Sequence, residues 1–360
     1  MRKDPVTGGC EHGRLGRSRI RLLGAACILA AAAITFSACG SSTSGSSGGG
    51  GLTPVTIALP VAEPVQSPVY LASKLGYFRQ KGIDAHVVVL ASDTSADAAM
   101  VAGSVQYTSV NAVALMHGAE KGVPFQDLCT EYDGPAWALA VTQNTLGSTH
   151  VSPGMPVKQL FSALHGTKVA IVGTAASASG LILNGLLKNM GLPENSLHLV
   201  GVSASSDLPG AYQHGEVGAV FDTQPTPDHL VSEMSGKVVF NTTQLPQLAQ
   251  VPWEGIVGEK KYISSNPRID KGVCAAIAKA DNYLLKNPSG AVSQLKGTFP
   301  SLSTATLQDA IKSYHWAPNA GMTTAQWQNA VKALSQFGLI KQPSPATLSG
   351  AVNMKYLPGR

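Results

Sequence analysis

The sequence predicts an α/β protein of two lobes, each a mainly parallel sheet flanked by helices, with two hinge strands joining them. Short β-rich runs alternate with helical runs over residues 55–122, and the same alternation starts again over residues 167–222. Two extended segments that contain Gly and Pro, residues 129–144 and 247–263, lie at the boundaries of the second block. Because alternating strands and helices are typical of parallel sheets, the chain is expected to build one sheet, cross to another and return.

The N-terminus has the order of a secretory signal. Six Lys and Arg residues precede an apolar run over residues 22–36, and the small residue Ala38 follows it. This pattern predicts a signal peptide over residues 1–38. A transmembrane helix is the alternative, but the run is shorter than the roughly 20 residues that span a bilayer.

A cysteine and a polar tether follow the apolar run. The sequence "FSAC", which ends at Cys39, resembles the lipobox of bacterial lipoproteins, although Phe36 stands where that motif has Leu. Residues 40–51 are only Gly, Ser and Thr, a composition that behaves as a flexible coil. We therefore expect residues 39–51 to be a lipidated cysteine and its tether.

The charge balance gives no indication of a nucleic-acid partner. The chain has 26 Lys and Arg against 21 Asp and Glu, for a net charge of +5. Without residues 1–38 the balance is 20 against 19, so the excess positive charge belongs to the export signal. The sequence contains no CxxC and no HExxH motif, and it predicts neither a metal site nor a cofactor.

Two cysteines, Cys129 and Cys274, remain in the body of the protein beyond Cys39. An oxidising compartment would allow a disulfide between them. Two buried free thiols are the alternative, and the sequence leaves both open.

The elements of the first lobe follow one another in strand–helix pairs. The predicted strands are 55–60, 85–91 and 105–110, and the predicted helices are 67–83, 92–103 and 111–122. Apolar residues at helical spacing indicate the first helix, and N-cap residue types open the second.

The second lobe repeats this order, and the chain then returns to the first. The predicted strands are 167–173, 197–202 and 217–222, with helices at 174–192 and 207–215. From Asn266 the sequence is helical almost to its end, and we expect these helices to pack on the first lobe. The predicted boundaries are 52–134 and 253–360 for the first lobe and 135–252 for the second.

Several segments resemble one family. They are "SPVYLASKLGYFRQKGIDAHVVVLASDTSADAAMVAGSVQYTSV" (67–110), "GTKVAIVGTAASASGLILNGLLKNMGL" (166–192) and "GEVGAVFDTQP" (215–225). They resemble the periplasmic substrate-binding proteins of ABC transporters, in the nitrate/sulfonate/taurine and NMT1/THI5-like groups. Gln106 and Gly218 stand where those proteins usually have Asp.

The resemblance implies a type II periplasmic-binding-protein fold and a transport role without enzymatic activity. It implies a small-molecule ligand, and an ABC permease and ATPase as partners. With the N-terminal signals, it implies a monomer that is exported and held by lipid on the outer face of the cytoplasmic membrane. A pyrimidine-synthase-like enzyme and a surface sensor on the same fold are the alternatives.

The ligand site is expected where loops leave the carboxyl ends of the strands, between the two lobes. The predicted ligand-binding residues are Gln66, Ser67, Ser92, Asp93, Thr94, Ser109 and Asn111 in the first lobe, Thr174, Ser177 and Asp222 in the second, and Tyr132, Trp137 and Trp253 beside the hinges. Several of the polar residues open helices, whose free N–H groups can bind anions. Simple capping is the alternative for the polar residues, and core packing is the alternative for the aromatic ones.

The composition of these loops favours an uncharged ligand. No Arg or Lys occurs in them, and Asp93 and Asp222 are identified as the only carboxylates near strand ends. We therefore expect a neutral or weakly polar organic ligand, with a flat aromatic ring as one form, and leave open a small oxoanion bound by amide groups.

Overall fold

The computed structural model describes residues 51–90 and 92–359. The predicted signal peptide, Cys39 and the tether up to residue 50 lie outside the described residues. The strands are β1 (Thr53–Leu59), β2 (Ile83–Val89), β3 (Tyr107–Asn111), β4 (Phe125–Asp133), β5 (Trp137–Val141), β6 (Lys168–Val172), β7 (His198–Val202), β8 (Ala219–Thr223), β9 (Lys237–Asn241), β10 (Pro252–Glu259) and β11 (His315–Trp316).

The helices surround these strands in chain order. They are α1 (Ser67–Lys74), α2 (Asp93–Val101), α3 (Ala112–Glu120), α4 (Gln143–Thr149), α5 (Val157–Ala163), α6 (Ala178–Asn189), α7 (Leu208–Gln213), α8 (Thr226–Met234), α9 (Lys260–Ser265), α10 (Pro267–Lys286), α11 (Pro288–Leu295), α12 (Thr304–Ser313), α13 (Thr324–Gln336) and α14 (Pro345–Gly350). Within the described ranges, no helix is long and apolar enough to cross a membrane.

The strands form two sheets, as predicted, and both sheets are mixed. The first sheet has the order β11-β4-β10-β3-β1-β2 and the second β7-β6-β8-β5-β9. Strand β1 pairs in parallel with β2 and β3, and β6 pairs in parallel with β7 and β8. The crossing strands β4, β5 and β10 pair antiparallel with their neighbours in the sheets. The prediction of mainly parallel sheets therefore holds for the βαβ portions but not for the crossing strands.

The two crossings between the sheets are bonded to each other. Gly134, directly after β4, donates its N–H to the carbonyl of Val251 at 2.7 Å. Gly134 has φ +73°, and a Cβ there would lie 3.1 Å from a backbone oxygen of Ala249. This position therefore requires a residue that tolerates left-handed geometry and takes no space. On the second-sheet side, Trp137 N–H donates to Thr242 Oγ1 at 2.9 Å.

The C-terminal helices return mainly to the first lobe. Helix α10 packs on α1 and β4, and α14 packs on α3. Cys274 of α10 forms a disulfide with Cys129 of β4, with a Cα–Cα distance of 5.7 Å, so this alternative of the sequence analysis is the one observed. The end of α13 also contacts the second lobe, since Asn189 Nδ2 donates to the carbonyl of Gln336 at 3.4 Å.

Two predicted helices are shorter than expected. Helix α1 ends at Lys74 because the chain turns at Gly76, whose φ is +68°. Helix α6 begins at Ala178, four residues later than predicted, because residues 173–177 form a turn instead. That turn lies against the first turn of the helix, where a Cβ on Gly180 would meet the backbone of Thr174 and Ala175 at 2.6 Å.

Candidate binding cavity between the sheets

A small cavity lies between the carboxyl ends of the strands of the two sheets. Its volume is about 60 Å³, room for only a few water-sized groups. The lining, hereafter the inner cavity, consists of Pro60, Val61, Val65, Gln66, Ser92, Asp93, Asn111, Tyr132 and Glu254 from the first-lobe side, and Trp137, Val172, Ser177, Ala178, Ser179, Ser205, Asp222 and Thr223 from the second-lobe side. The predicted location between the sheets therefore contains a small space lined by both polar and apolar side chains.

Three neighbouring strands place polar side chains at one level of this wall. Glu254 of β10 is paired with Asn111 of β3 on one side and with Tyr132 of β4 on the other. Tyr132 Oη donates to Glu254 Oε2 at 3.4 Å. Carboxylate, amide and phenol therefore lie side by side across the end of the first sheet.

Trp253 lies behind this wall rather than in it. The register between β10 and β4 shifts there, so that Pro252 faces Asp133 and Glu254 faces Tyr132, with Trp253 as the extra residue of a β-bulge. Its side chain is 1% exposed and packs edge-on against Trp137, with ring centroids 5.4 Å apart. Trp137 is the one of the two that lines the cavity.

Two predicted residues on the first-lobe side both cap a helix and line the cavity. Ser92 Oγ accepts the N–H of Ser95 at 3.2 Å at the start of α2, and Asn111 Oδ1 accepts the N–H of Ala114 at 2.9 Å at the start of α3. Capping therefore occupies one acceptor of each, and a role toward a ligand stays a prediction. Gln66 differs, because its buried Oε1 has no hydrogen-bond partner.

The second-lobe side contributes residues of β8 and of the turn before α6. Asp222 lies one residue before the end of β8, and its Oδ2 is buried without a hydrogen-bond partner. Ser177 precedes α6 but does not cap it, since its hydroxyl donates to the carbonyl of Val172 at 2.8 Å. Both residues line the cavity, as does Ser179.

Five predicted residues do not line the cavity: Ser67, Thr94, Ser109, Thr174 and Trp253. Thr94 and Thr174 are exposed at the surface. Ser67 is buried, and its hydroxyl donates to the carbonyl of Pro64. Ser109 lies two residues before the end of β3, where its hydroxyl donates to Glu131 Oε2 at 2.6 Å. These side chains are directed to solvent or to the interior of one lobe.

The expectation that Asp93 and Asp222 are the only carboxylates near strand ends is wrong. Glu254 lines the inner cavity, and Glu63 lies just outside it, where it accepts a hydrogen bond from Thr226 Oγ1 at 3.1 Å. Glu63 is in the loop after β1, from which the sequence analysis selected only Gln66 and Ser67. Glu254 directly follows Trp253, and the bulge decides which of the two faces the cavity.

The carboxyl groups in and beside the cavity have raised pKa values. Burial raises the pKa of Asp93 to about 6 and that of Asp222 to about 7, and the charge of Asp93 contributes to the second shift. Burial, followed by the charges of Glu131 and Asp93, raises the pKa of Glu254 well above its ordinary value. Burial and the charge of Asp222 do the same for Glu63. Each carboxyl therefore resists ionisation in this closed arrangement.

Two larger depressions lie outside the inner cavity. An outer groove of about 520 Å³ adjoins it between the lobes and shares Pro60, Val61 and Ser205 with its lining. A second depression of about 750 Å³ is larger, but only second-lobe residues line it, and the segments before β6 and β8 place it at the opposite ends of those strands. The inner cavity receives side chains from strands of both sheets.

These features define a class. Two facing α/β sheets, linked by two crossing segments and enclosing a polar cavity at the strand carboxyl ends, form the periplasmic-binding-protein fold, in agreement with the sequence-based expectation. The chain belongs to the NMT1/THI5-like family, whose profile matches residues 63–291. A search of curated proteins finds no match.

Solved structures of low sequence identity share the fold. A protein of Bordetella bronchiseptica RB50 is 20% identical, with a TM-score of 0.71 over 84% of this chain and 95% of the other. The periplasmic nitrate-binding protein NrtA of Synechocystis PCC 6803 is 14% identical, with a TM-score of 0.67 over 85% and 87%. The alkanesulfonate-binding protein SsuA of Xanthomonas axonopodis pv. citri, bound to MOPS, is 15% identical, with a TM-score of 0.66 over 84% and 99%. NrtA and SsuA are binding proteins for nitrate and for alkanesulfonate, respectively.

Proposed function

We propose that this protein is a lipid-anchored solute-binding protein that captures a small organic molecule between its lobes and delivers it to an ABC importer. The observation that carries the proposal is the inner cavity, whose lining comes from both sheets. A ligand that contacts residues of both lobes binds more tightly when the lobes are close together. Its binding therefore shifts the population towards the closed state. The lobes are taken as 52–134 with 253–360, and 135–252.

The proposed ligand contacts are the predicted residues that line the cavity together with those that sequence reasoning missed. The first group is Gln66, Ser92, Asp93, Asn111, Tyr132, Trp137, Ser177 and Asp222, and the second is Ser179, Ser205 and Glu254. The permease is expected to recognise the closed pair of lobes, since only that state carries cargo.

The membrane part of the proposal is supported by the N-terminal sequence alone. "FSAC" places a cysteine at the end of an export signal, and residues 40–51 form a Gly/Ser/Thr tether. A root-mean-square span of roughly 20 Å for such a tether would hold the lobes near the membrane while leaving them free to rotate.

Binding rather than catalysis is supported by the residue types around the cavity. In the part of the chain that the structure describes, neither His nor Cys is among the lining residues. NrtA and SsuA, which share the fold, are binding proteins for nitrate and alkanesulfonate, and no observation of this chain favours the synthase-like or sensor alternatives.

Native mass spectrometry of the gently purified protein tests the proposal. We expect a non-covalent small molecule on a fraction of the protein, and its addition to stripped protein should raise the melting temperature and reduce the radius of gyration in solution scattering. If the protein instead converts the molecule into a product, the enzyme alternative is favoured. If no compound binds, or if a bound compound leaves the radius of gyration unchanged, the proposed function is wrong.

A further inference from the structure

The inner cavity has acidic groups without basic counterparts. Asp93 opens α2, Asp222 lies near the end of β8 and Glu254 lies on β10, so three carboxyl groups line the cavity from three different elements. None of the described lining residues is Lys, Arg or His. The ion pairs found within residues 51–90 and 92–359 all lie elsewhere: Arg79–Asp84, His86–Asp84 and His117–Glu120.

A second observation points to a missing hydrogen-bond donor. Asp222 is 4% exposed, and its Oδ2 has no partner. Gln66 is 1% exposed, and its Oε1 also has no partner. Buried acceptors are rarely left without a donor, because each then loses its hydration without replacement. Both residues line the same cavity, one from each lobe.

We propose that the inner cavity binds the positively charged head of an organic cation, a primary ammonium or an amidinium group. This inference rests on the proposed function and specifies the chemical class of its ligand. The N–H groups of such a head diverge, so one head can donate to Asp222, to Glu254 and to Gln66 together. The aromatic side chains of Trp137 and Tyr132 in the same lining favour a cation further. This proposal departs from the sequence-based expectation of an uncharged ligand, with a small oxoanion left open.

The carboxyl groups surround the cavity rather than converge on one point. Among the described residues, no group of three His, Cys, Asp or Glu side chains is placed to hold a metal ion. A metal ion needs its ligands within about 2.0–2.6 Å of one centre. A polyatomic cation meets its acceptors through N–H groups that lie farther apart, and it suits this arrangement better.

The size of the cavity restricts what can enter it. A volume of about 60 Å³ holds a head group of a few non-hydrogen atoms and no more. The outer groove of about 520 Å³ shares lining residues with it, and includes the apolar side chains of Val89, Leu230 and Phe299. We therefore assign the head to the inner cavity and an apolar substituent to the outer groove, where Glu63 and His229 are the ionisable residues.

A series of compounds that share one ring tests the sign of the charge. Benzamidine and benzylamine are compared with benzyl alcohol, benzoate and benzenesulfonate by titration calorimetry and thermal shift on the ligand-free protein at pH 7.5. We expect measurable binding of the two cations and at least tenfold weaker binding of the neutral and anionic members. Preference for benzoate, benzenesulfonate or benzyl alcohol over both cations would overturn the inference while leaving solute binding intact.

Charge-removing variants then locate the site. Asp222→Asn and Glu254→Gln should each weaken benzamidine binding by tenfold or more. The matched control is Asp270→Asn, which removes a buried carboxyl group outside the cavity lining and should change the affinity less than threefold. Equal affinities in all three variants would overturn the assignment of the cationic head to the inner cavity. If a variant does not fold, the comparison of the ring compounds on the wild-type protein still tests the charge of the ligand.

The two levels of proposal fail differently. If native mass spectrometry finds an anionic or neutral molecule in the cleft, and that molecule reduces the radius of gyration, the protein is a binding protein but not for cations. If neither the ring series nor any co-purified molecule binds, both proposals are wrong.

Discussion

Thr226 Oγ1 donates a hydrogen bond to Glu63 Oε1 across the cleft, at a distance of 3.1 Å. Thr226 opens α8 of the second lobe, and Glu63 lies in the loop after β1 of the first. Tyr314 makes a second connection near it, since its hydroxyl donates to the carbonyl of Gln224. The closed arrangement is therefore held at its outer edge by polar contacts that do not need a ligand.

Removal of the first contact should favour the open arrangement. Thr226→Val keeps the shape of the side chain but deletes the donor, a change worth about 0.5–1.5 kcal/mol. We expect the radius of gyration of the ligand-free protein to increase in solution scattering, and ligand affinity to fall by a few-fold because the competent state is less populated. Thr243→Val, an exposed position outside both cavities, serves as the control. An unchanged radius with unchanged affinity would show that this contact does not hold the lobes.

The buried carboxyl groups predict that stability decreases as the pH rises. Asp93 and Asp222 have pKa values raised from 3.8 to about 6 and about 7, so the folded protein binds more protons than the unfolded chain between these limits. The free energy of unfolding should therefore fall as the pH rises from about 4 to about 7, and the raised pKa values of Glu131, Glu63 and Glu254 continue the fall beyond that. The charge of Asp222 acts on Glu63 and Tyr314, and the charge of Asp93 acts on Asp222. The pKa values of Asp127 and Glu131 are raised as well.

Calorimetry across this pH range measures the effect. In Asp222→Asn, the fall in melting temperature between pH 5 and pH 7 should be smaller than in the wild type, whereas exposed Glu216→Gln should follow the wild type. A melting temperature that rises over this interval would contradict the raised pKa values.

The disulfide should contribute substantially to stability. Cys129 and Cys274 are both fully buried and are separated by 145 residues, so the bond restricts a long segment of the unfolded chain. The double variant Cys129→Ala/Cys274→Ala should lose about 2–5 kcal/mol of unfolding free energy, measured by urea titration. Wild-type protein treated with reductant and denaturant should approach the variant. Equal midpoints for oxidised, reduced and variant protein would show that the bond adds nothing.

Three of the four buried tryptophans should separate into different roles. Trp137 is 7% exposed and lines the inner cavity, so Trp137→Ala should weaken an aromatic or cationic ligand by roughly tenfold, about 1.4 kcal/mol. Trp253 is 1% exposed and lies behind it, so Trp253→Ala should lower stability by about 3–5 kcal/mol through a core cavity. Trp327, whose Nε1 donates to Leu348 at 3.1 Å, should behave as a stability residue alone.

Calorimetric titration of folded variants distinguishes these outcomes. If Trp253→Ala reduces affinity more than Trp137→Ala at comparable stability, the assignment of the cavity wall to Trp137 is wrong.

The proposed anchor predicts a change in partitioning. Cys39→Ala should move the protein from the detergent phase to the aqueous phase in phase separation of whole cells, because the acylated residue is gone. Ser37→Ala, two residues earlier, leaves the cysteine in place and should partition as the wild type. If the Cys39 variant stays in the detergent phase, another part of the chain holds it there.

The order of elements in the βαβ portions could be predicted from the sequence because it depends on local periodicity, whereas α4, α5, α8 and β9 are not among the predicted elements. Ser92 and Asn111 were identified as helix-opening residues at strand ends, and both cap their helices in the structure. The side chains around Trp253 could not be assigned in this way. In a regular strand neighbouring residues alternate between faces, but a bulge inserts one residue and changes which of two neighbours faces the ligand side.

Glu63 and Glu254 illustrate the same limit at the level of electrostatics. A carboxylate in a loop is common, and only the approach of the other lobe shows that Glu63 meets the charge of Asp222. The pairing of Glu254 with Asn111 and Tyr132 depends on strand register across three non-consecutive strands. Such long-range juxtapositions decided that the cavity is acidic, and no local pattern contains them.

The hydrogen bond between Gly134 and Val251 has a mechanical consequence. The outgoing and returning crossings are joined at 2.7 Å, so they are restrained to move together as one joint rather than as two independent tethers. Relative motion of the lobes is then mainly a rotation about a single axis through this pair, and the displacement grows with distance from it. Residues at the far end of the second lobe, such as Gly215 before β8, should have the largest displacement for a given angle of rotation. A fluorescent reporter of ligand capture is therefore best attached at that end.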